Sequence, residues 1–187
     1  MPRLPKAREP LKQAALRLFV ENGVHATGIR EIARHAGCSE AALYRHWPNK
    51  EAQVSQLFQE HLEAVGDIMR EALSKKADTA TAIEDCCRAI YELYDSHPLV
   101  FRYVLLVQHE IACFLPADLD MPQDILERFF TAVKKSRETK HDPALLSAAC
   151  IGIFLQTASS VIYGRLEGPL ARYAGIVSAL GLALLRS

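Results

Sequence analysis

The chain has 187 residues and equal numbers of basic and acidic side chains, 22 Lys and Arg against 22 Asp and Glu. Half of the residues are hydrophobic and 24% are charged, a composition typical of a globular protein of one or two domains. The neutral total excludes a protein that coats nucleic acid through bulk charge. Low Gly and Pro contents exclude collagen-like and low-complexity chains.

The N-terminus, the cysteines and the hydropathy pattern together predict a cytoplasmic protein without a membrane partner. No apolar stretch typical of a secretion signal follows Met1 to Lys6. The five cysteines are odd in number and form no Cys-x-x-Cys pair, so a disulfide framework is not expected. Residues 143–164 are uncharged over a length that can span a bilayer, but they include Ser, Thr and Gln and lack flanking basic clusters. We predict a buried helix there.

Helical periodicity predicts an all-α chain of about nine helices. The first helix runs from Pro10 to Asn22, where Gly23 ends it. The second spans 29–35, and the third begins after the N-cap Ser39 and reaches His46 or Trp47. The others are expected at about residues 50–73, 80–96, 98–112, 123–138 and 142–167, with a last one that ends near 185, and residues 114–122 are expected to form a loop.

The charges are unevenly divided along the chain. Residues 1–50 carry nine basic and four acidic side chains, a net charge of +5, and the other 137 residues carry −5. Such asymmetry indicates an N-terminal module that faces a polyanion, although small domains often carry a charge of this size.

Residues 27–50 have the pattern of a helix-turn-helix. Ala33 is the small residue needed where two helices cross closely, and Gly37 tolerates the positive φ of the turn. Lys50 stands at a helix start, where the helix dipole does not favour a cation, so a phosphate partner explains it better. Four further residues can pack the second helix against the first: Ile32, Cys38, Leu43 and Trp47.

Residues of about 8–55 resemble the N-terminal pattern of the tetracycline-repressor (TetR) family of bacterial transcription regulators. The matching residues include Leu18-Phe19, Ile32-Ala33, Ala36-Gly37, Leu43-Tyr44 and Lys50-Glu51. The resemblance implies an N-terminal three-helix helix-turn-helix domain in residues 1–50 and a C-terminal helical ligand-binding and dimerisation domain in residues 51–187, linked by the helix that starts near residue 50.

The resemblance also implies which side chains contact DNA. Phosphate contacts are expected from Tyr44, His46 and Lys50, and base contacts from Arg30, Glu40 and Arg45. Thr27 and Ser39 correspond to phosphate-contacting or capping positions, and Ala42 offers only a methyl group to a thymine. Two of these residues have an alternative role: Glu40 suits the dipole of a helix start, and Tyr44 can simply pack on the domain surface.

A ligand cavity is implied among the later helices. A mostly apolar lining with a few polar groups is typical of small-molecule sites, and the aromatic residues favour a hydrophobic or aromatic effector. Each residue proposed to line the cavity could instead belong to the hydrophobic core. The candidates are Tyr91, Tyr94, Phe101, Val104, Leu105, Gln108, Cys113, Phe114, Phe129 and Phe154.

The last two predicted helices are rich in small residues and nearly free of charge. A helix that is apolar on most sides must be covered on most sides, and a two-fold dimer through a four-helix interface achieves this. The family resemblance implies the same dimer. The expected interface residues are Ala149, Gly152, Ser160, Gly164, Gly175, Ala179 and Leu182.

We therefore predict a ligand-responsive repressor that binds a palindromic DNA operator as a homodimer, without a cofactor, a metal or a catalytic site, and is released by a small effector. An all-helical carrier or enzyme without DNA binding is the alternative, since His109-Glu110 stands near the expected cavity. A metal or redox sensor is disfavoured because Cys86, Cys87, Cys113 and His109 lack the spacing of a tetrahedral site.

Overall fold

The computed structural model of the protein describes residues 8–74, 78–106, 108–116, 118–136 and 139–186. Within these ranges every regular element is helical, so the predicted all-α class is confirmed. The α-helices are α1 Arg8–Asn22, α2 Ile29–His35, α3 Glu40–Tyr44, α4 Lys50–Ser74, α5 Thr79–Ser96, α6 Pro98–Phe101, α7 Gln108–Ile111, α8 Pro122–Lys135, α9 Pro143–Ile162 and α10 Ala174–Arg186.

Side-chain caps explain where several helices begin. The Asn49 carboxamide oxygen accepts the Ala52 N–H at 2.7 Å at the start of α4. The carboxylates of Asp78 and Asp142 each accept two backbone N–H groups at the starts of α5 and α9. Each cap satisfies donors that a helix start leaves without an intrahelical partner, so these starts lie close to the predicted ones.

The predicted single helix at 98–112 is wrong. The α6 helix ends at Phe101, a π-helical turn covers Arg102–Leu106, and α7 follows. Phe101, Tyr103 and Val104 are all fully buried in this stretch. In a regular α-helix packed on one side, positions two residues apart point in very different directions, so Phe101 and Tyr103 would not both face the core. Burial of both therefore favours an irregular turn.

The chain forms two compact units. The first contains residues up to Leu62 together with Leu99–Leu119, and the second contains Glu63–Pro98 together with Asp120–Ser187. The functional division at residue 50 stays a prediction. In the structure, residues Leu99–Leu119 belong to the same compact unit as the N-terminal helices.

Tyr103 lies at the centre of the first unit. Its ring stacks on Phe19 with 6.1 Å between centroids and meets the edge of Phe58 at 5.9 Å. The hydroxyl donates to the Val54 carbonyl at 3.0 Å. The π-helical turn that carries Tyr103 is therefore fixed to α1 and α4 by both packing and a buried hydrogen bond.

The second unit has a core built from α5, α8, α9 and α10, around Ile83, Phe130, Leu146 and Leu185. The link from α9 to α10 is held by Asp95 of α5, whose two carboxylate oxygens accept the N–H groups of Leu170 and Ala171 at 2.8 and 2.9 Å. Hydrogen bonds to a carboxylate are stronger than those between neutral groups, so this contact fixes the start of the 3-10 turn Leu170–Tyr173, which leads into α10.

Gln53 is an exception to the apolar core of the first unit. Its side chain is fully buried, and neither amide atom has a hydrogen-bond partner among the described residues. A buried polar group without a partner destabilises a fold by about 1–3 kcal/mol. We expect Gln53→Leu, which keeps a similar volume, to raise the free energy of unfolding by roughly that amount. Urea unfolding followed by circular dichroism measures it.

The matched control is Gln13→Leu at an exposed position of α1. This change removes only an exposed hydrogen bond from Gln13 to Glu9, so it is expected to alter stability by only about 0.5 kcal/mol. A Gln53→Leu protein less stable than the wild type would show that the amide has a partner worth more than its burial costs.

Candidate nucleic-acid interface

The α2–turn–α3 segment has the geometry of a helix-turn-helix. Gly37 has a φ of +66°, a left-handed conformation that favours glycine, and it lets the chain reverse after α2. The Cys38 N–H donates to the Ala33 carbonyl at 2.9 Å, and the Ser39 hydroxyl accepts the Ala42 N–H at 3.2 Å. The turn and the start of α3 are therefore both fixed by hydrogen bonds, and Ser39 is the predicted cap.

Most of the predicted DNA contacts lie at the surface of this segment. Tyr44 is 50% exposed although it is a large aromatic residue. Exposed or half-buried positions are also found for Arg30, Ser39, Glu40, Arg45, His46 and Lys50. The surface therefore combines charged side chains with hydrogen-bonding groups, which is the chemistry needed for phosphates and base edges.

Thr27 and Ala42 lie inside the protein instead. Thr27 is 1% exposed, and its hydroxyl donates to the carbonyls of Gly23 and Leu18, at 2.8 and 3.2 Å. It stabilises the turn after α1 and does not offer its hydroxyl to a phosphate. Ala42 is 7% exposed because it faces the core together with Leu43. The neighbouring Ala41 is the exposed small residue, which the spacing from Tyr44 and Arg45 could have indicated.

An ion pair joins the two helices at this surface. Arg30 Nε of α2 lies 3.1 Å from Glu40 Oε1 of α3. Such exposed pairs contribute only about 0–1 kcal/mol to stability, so the contact matters for the charge that the surface presents. The carboxylate reduces the positive potential beside the side chains of α3.

A second polar network holds the end of the helix-turn-helix against α1. The Trp47 indole N–H donates to Gln56 Oε1 at 2.9 Å, and the Gln56 amide donates to Glu60 Oε1 at 3.0 Å. Glu60 also pairs with Lys12 and Arg8 of α1. Partial burial opposes ionisation of Glu60, but the contacts with Lys12, Gln56 and Arg8 outweigh it and lower its pKa, so the carboxylate is charged at neutral pH.

The predicted cavity residues belong to both units. In the first unit Phe101, Val104 and Leu105 are buried, Phe114 is half-buried and Cys113 is exposed. The side chain of Gln108 lies outside the described part of the structure. In the second unit Tyr91 is buried, whereas Tyr94, Phe129 and Phe154 are half-buried, and the Tyr91 ring stacks on Phe154 at 4.4 Å. The ligand cavity itself stays a prediction.

The predicted dimer residues all keep exposed surface in the single chain. Gly152, Gly164, Gly175 and Ala179 are exposed, and Ala149, Ser160 and Leu182 are half-buried. Large apolar side chains lie exposed in the same two helices, with Leu145 of α9 at 63% and Ile176 of α10 at 62%. Among the described residues, α9 alone is long and apolar enough to cross a membrane, by length and composition only.

The cysteines give no metal-binding cluster within the described ranges, where no group of three His, Cys, Asp or Glu side chains could hold an ion. Burial raises the pKa of Cys86 and Cys87 to about 12, so these thiols stay protonated at neutral pH. Cys113 is exposed and Cys38 is half-buried.

An exposed, capped α3 presented by a helix-turn-helix within a basic N-terminal segment defines the class of helix-turn-helix proteins. Residues 11–57 match the family model described as "Bacterial regulatory proteins, tetR family". This N-terminal segment of the chain is similar to that family, as the sequence motifs predicted.

Relatives with curated names include HTH-type transcriptional regulators. The chain is 33% identical over 106 residues to the HTH-type transcriptional repressor KstR2 of Rhodococcus jostii, which covers 56% of this chain and 52% of that protein. It is 30% identical over 104 residues to the HTH-type transcriptional activator FasR of Mycolicibacterium smegmatis, covering 54% and 48%. The matched region therefore spans about half the length of these relatives.

A solved structure shows the same fold over nearly the whole chain. The transcriptional regulator FadR of Bacillus subtilis, in complex with stearoyl-CoA, superposes with a TM-score of 0.78 over 94% of this chain and 97% of that chain. The sequence identity is 20%, so this likeness establishes the fold alone.

Proposed function

We propose that the protein is a transcriptional regulator that binds operator DNA in the cytoplasm as a homodimer and is released by a small hydrophobic effector. The observation that carries the proposal is the exposed set of hydrogen-bonding and basic side chains on and around α3, from Arg30 of α2 to Lys50 of α4, within a segment that matches the tetR family model. This surface favours a regulator over the alternative carrier or enzyme, because neither of those needs a positively charged N-terminal segment such as residues 1–50.

The homodimer is supported by the uncovered apolar faces of α9 and α10. Leu180 is 52% exposed and Tyr163 is 78% exposed in the single chain, next to the small residues of these helices. Burial of such surfaces against a second copy removes apolar area from water and stabilises the pair by about 25 cal/mol per Å² of apolar surface. A two-fold dimer carries two copies of α3, which fits a palindromic operator and a repressor that blocks transcription.

The effector is proposed to be an acyl chain or a similarly hydrophobic molecule. Aromatic residues such as Tyr91 and Phe154 in the second unit support an apolar ligand, and the FadR neighbour was solved with stearoyl-CoA. Such a ligand acts only through its different affinity for the DNA-bound and the free conformations. Titration of the protein–DNA complex with stearoyl-CoA tests this, and stearate and free coenzyme A separate the chain from the headgroup.

DNA binding is tested by measuring affinity for the upstream region of the protein's own gene across a range of salt concentrations. Each phosphate contact contributes about 0.9 to the slope of log K against log salt. We expect Lys50→Ala to lower the magnitude of this salt slope by about 1.8 per dimer, because one phosphate contact is lost from each protomer. Lys134→Ala, at an exposed position of α8, is the control and should leave the slope unchanged. Equal, salt-insensitive affinity for random DNA contradicts the proposed function.

A further inference from the structure

Two segments that are distant in sequence hold the turn at residues 23–27, which joins α1 to α2. The Glu110 carboxylate Oε2 accepts the Val24 N–H at 3.3 Å. The backbone carbonyl of the same Glu110 lies 3.2 Å from His25 Nε2. Phe114 follows in the chain, and its ring centroid lies 5.8 Å from that of His25. All of these residues belong to the first unit.

The other side of His25 contacts the start of α4. Lys50 Nζ donates to the His25 carbonyl at 3.1 Å. The ring of His25 thus contacts the Glu110 carbonyl, while the backbone carbonyl of His25 accepts a hydrogen bond from Lys50. An ammonium group has three donors, so one can remain on His25 while the other two reach a phosphate.

Lys50 needs such a support because its own helix offers none. It is the first residue of α4, where the positive end of the helix dipole repels a cation. A long lysine side chain also loses much rotamer freedom when it is held in one direction. A fixed backbone carbonyl at 3.1 Å selects one direction before DNA arrives, which lowers the entropic cost of the phosphate contact.

The position of the His25 carbonyl depends on how firmly the turn at residues 23–27 is held. Gly23 has a φ of +88°, so the chain leaves α1 in a left-handed conformation. A Cβ added at Gly23 would lie 3.5 Å from Glu110 Oε2, which shows how closely the carboxylate approaches this turn. Ile111, next to Glu110, is fully buried and anchors α7 in the first unit.

We propose that Glu110 is a positioning residue for DNA binding, which holds the turn at residues 23–27 so that the His25 carbonyl directs Lys50 towards a phosphate. The proposal rests on the proposed function, and it gives a role to an acidic residue that was expected only near the ligand cavity. It also makes an unusual electrostatic prediction. Truncating an acidic side chain of a DNA-binding protein to alanine ordinarily strengthens binding, because a negative charge is lost, whereas truncating this one should weaken binding, because the acceptor oxygen is lost with it.

The experiment measures the affinity and salt dependence of operator binding for the full-length variants Glu110→Ala and Glu110→Gln. Glu110→Ala loses the acceptor for the Val24 N–H, and we expect binding about fivefold weaker, with a smaller salt slope. Glu110→Gln loses the same charge but keeps an acceptor oxygen, so its affinity should equal or exceed that of the wild type. Glu127→Ala, at an exposed position of α8, is the charge-matched control.

The double variant Glu110→Ala/Lys50→Ala separates positioning from a general structural role. If Glu110 acts through Lys50, adding Glu110→Ala to Lys50→Ala should weaken binding no further. If the alanine variant does not fold, Glu110→Asp takes its place in the test. It keeps the charge but shortens the side chain, so it should also weaken DNA binding. Unchanged or tighter binding by Glu110→Ala overturns the proposal, as does a fivefold loss that persists without Lys50. A wild-type protein that does not bind DNA overturns the proposed function as well.

Discussion

Trp47→Ala is expected to lower the free energy of unfolding by about 3–5 kcal/mol, the usual range when a buried aromatic residue is truncated to alanine. Trp47 is 2% exposed and fills the space between the end of α3 and the first turns of α4. Loss of the ring leaves a cavity and also removes the donor to Gln56. Urea unfolding followed by circular dichroism measures the change, because the variant has no tryptophan to report by fluorescence.

Trp47→Phe is the matched variant for this position. It keeps an aromatic ring and removes only the indole donor, so a loss of about 1 kcal/mol is expected. Gln56 would then be held by Glu60 alone, and Glu60 would keep its pairs with Lys12 and Arg8. Equal stability of the alanine and phenylalanine variants would contradict the view that the ring volume, rather than the hydrogen bond, fixes this end of the helix-turn-helix.

Ile176→Glu is expected to convert a dimer into monomers, with the dimer dissociation constant raised roughly 100-fold or more, since a carboxylate buried in an interface costs several kcal/mol. In a two-fold dimer each copy would bring one such charge to the interface. Sedimentation velocity measures the oligomeric state. Operator affinity should fall when the dimer is lost, because the two helix-turn-helix segments are no longer linked.

Ala132→Glu is the control, because it places the same charge at an exposed position of α8. It should leave both the dimer and DNA binding unchanged. An Ile176→Glu protein that remains dimeric would show that α10 does not form the interface. A wild-type protein that sediments with lipid vesicles would indicate that a membrane, rather than a second copy, covers the apolar faces of α9 and α10.

Helix starts were predictable from the sequence because they depend on local chemistry. Ser39, Asn49, Asp78 and Asp142 are residues whose side chains can cap a helix within three positions, and the structure shows each of them accepting a backbone N–H. The residues of the helix-turn-helix were equally clear, because small, left-handed and apolar positions must recur at fixed spacing there.

What the sequence could not show depends on contacts between distant residues. The π-helical turn at Arg102–Leu106 carries Tyr103 into contact with Phe19 and Phe58, which periodicity alone does not reveal. Thr27 has the same chemistry whether its hydroxyl faces a phosphate or the Gly23 carbonyl, so only the fold decides. The contact between Glu110 and Val24 joins residues 86 positions apart, and no local pattern announces it.

The ion pair between Arg30 and Glu40 has a consequence for how such a protein finds its target. A carboxylate on the proposed DNA-binding face is repelled by every phosphate backbone, whatever the base sequence. Residence on random DNA is therefore shortened, while a site whose bases give Arg30 a new acceptor compensates for separating the pair. A regulator that leaves wrong sites quickly samples more of the chromosome in a given time, so on the proposed DNA-binding face the Glu40 carboxylate favours rapid search as well as selectivity.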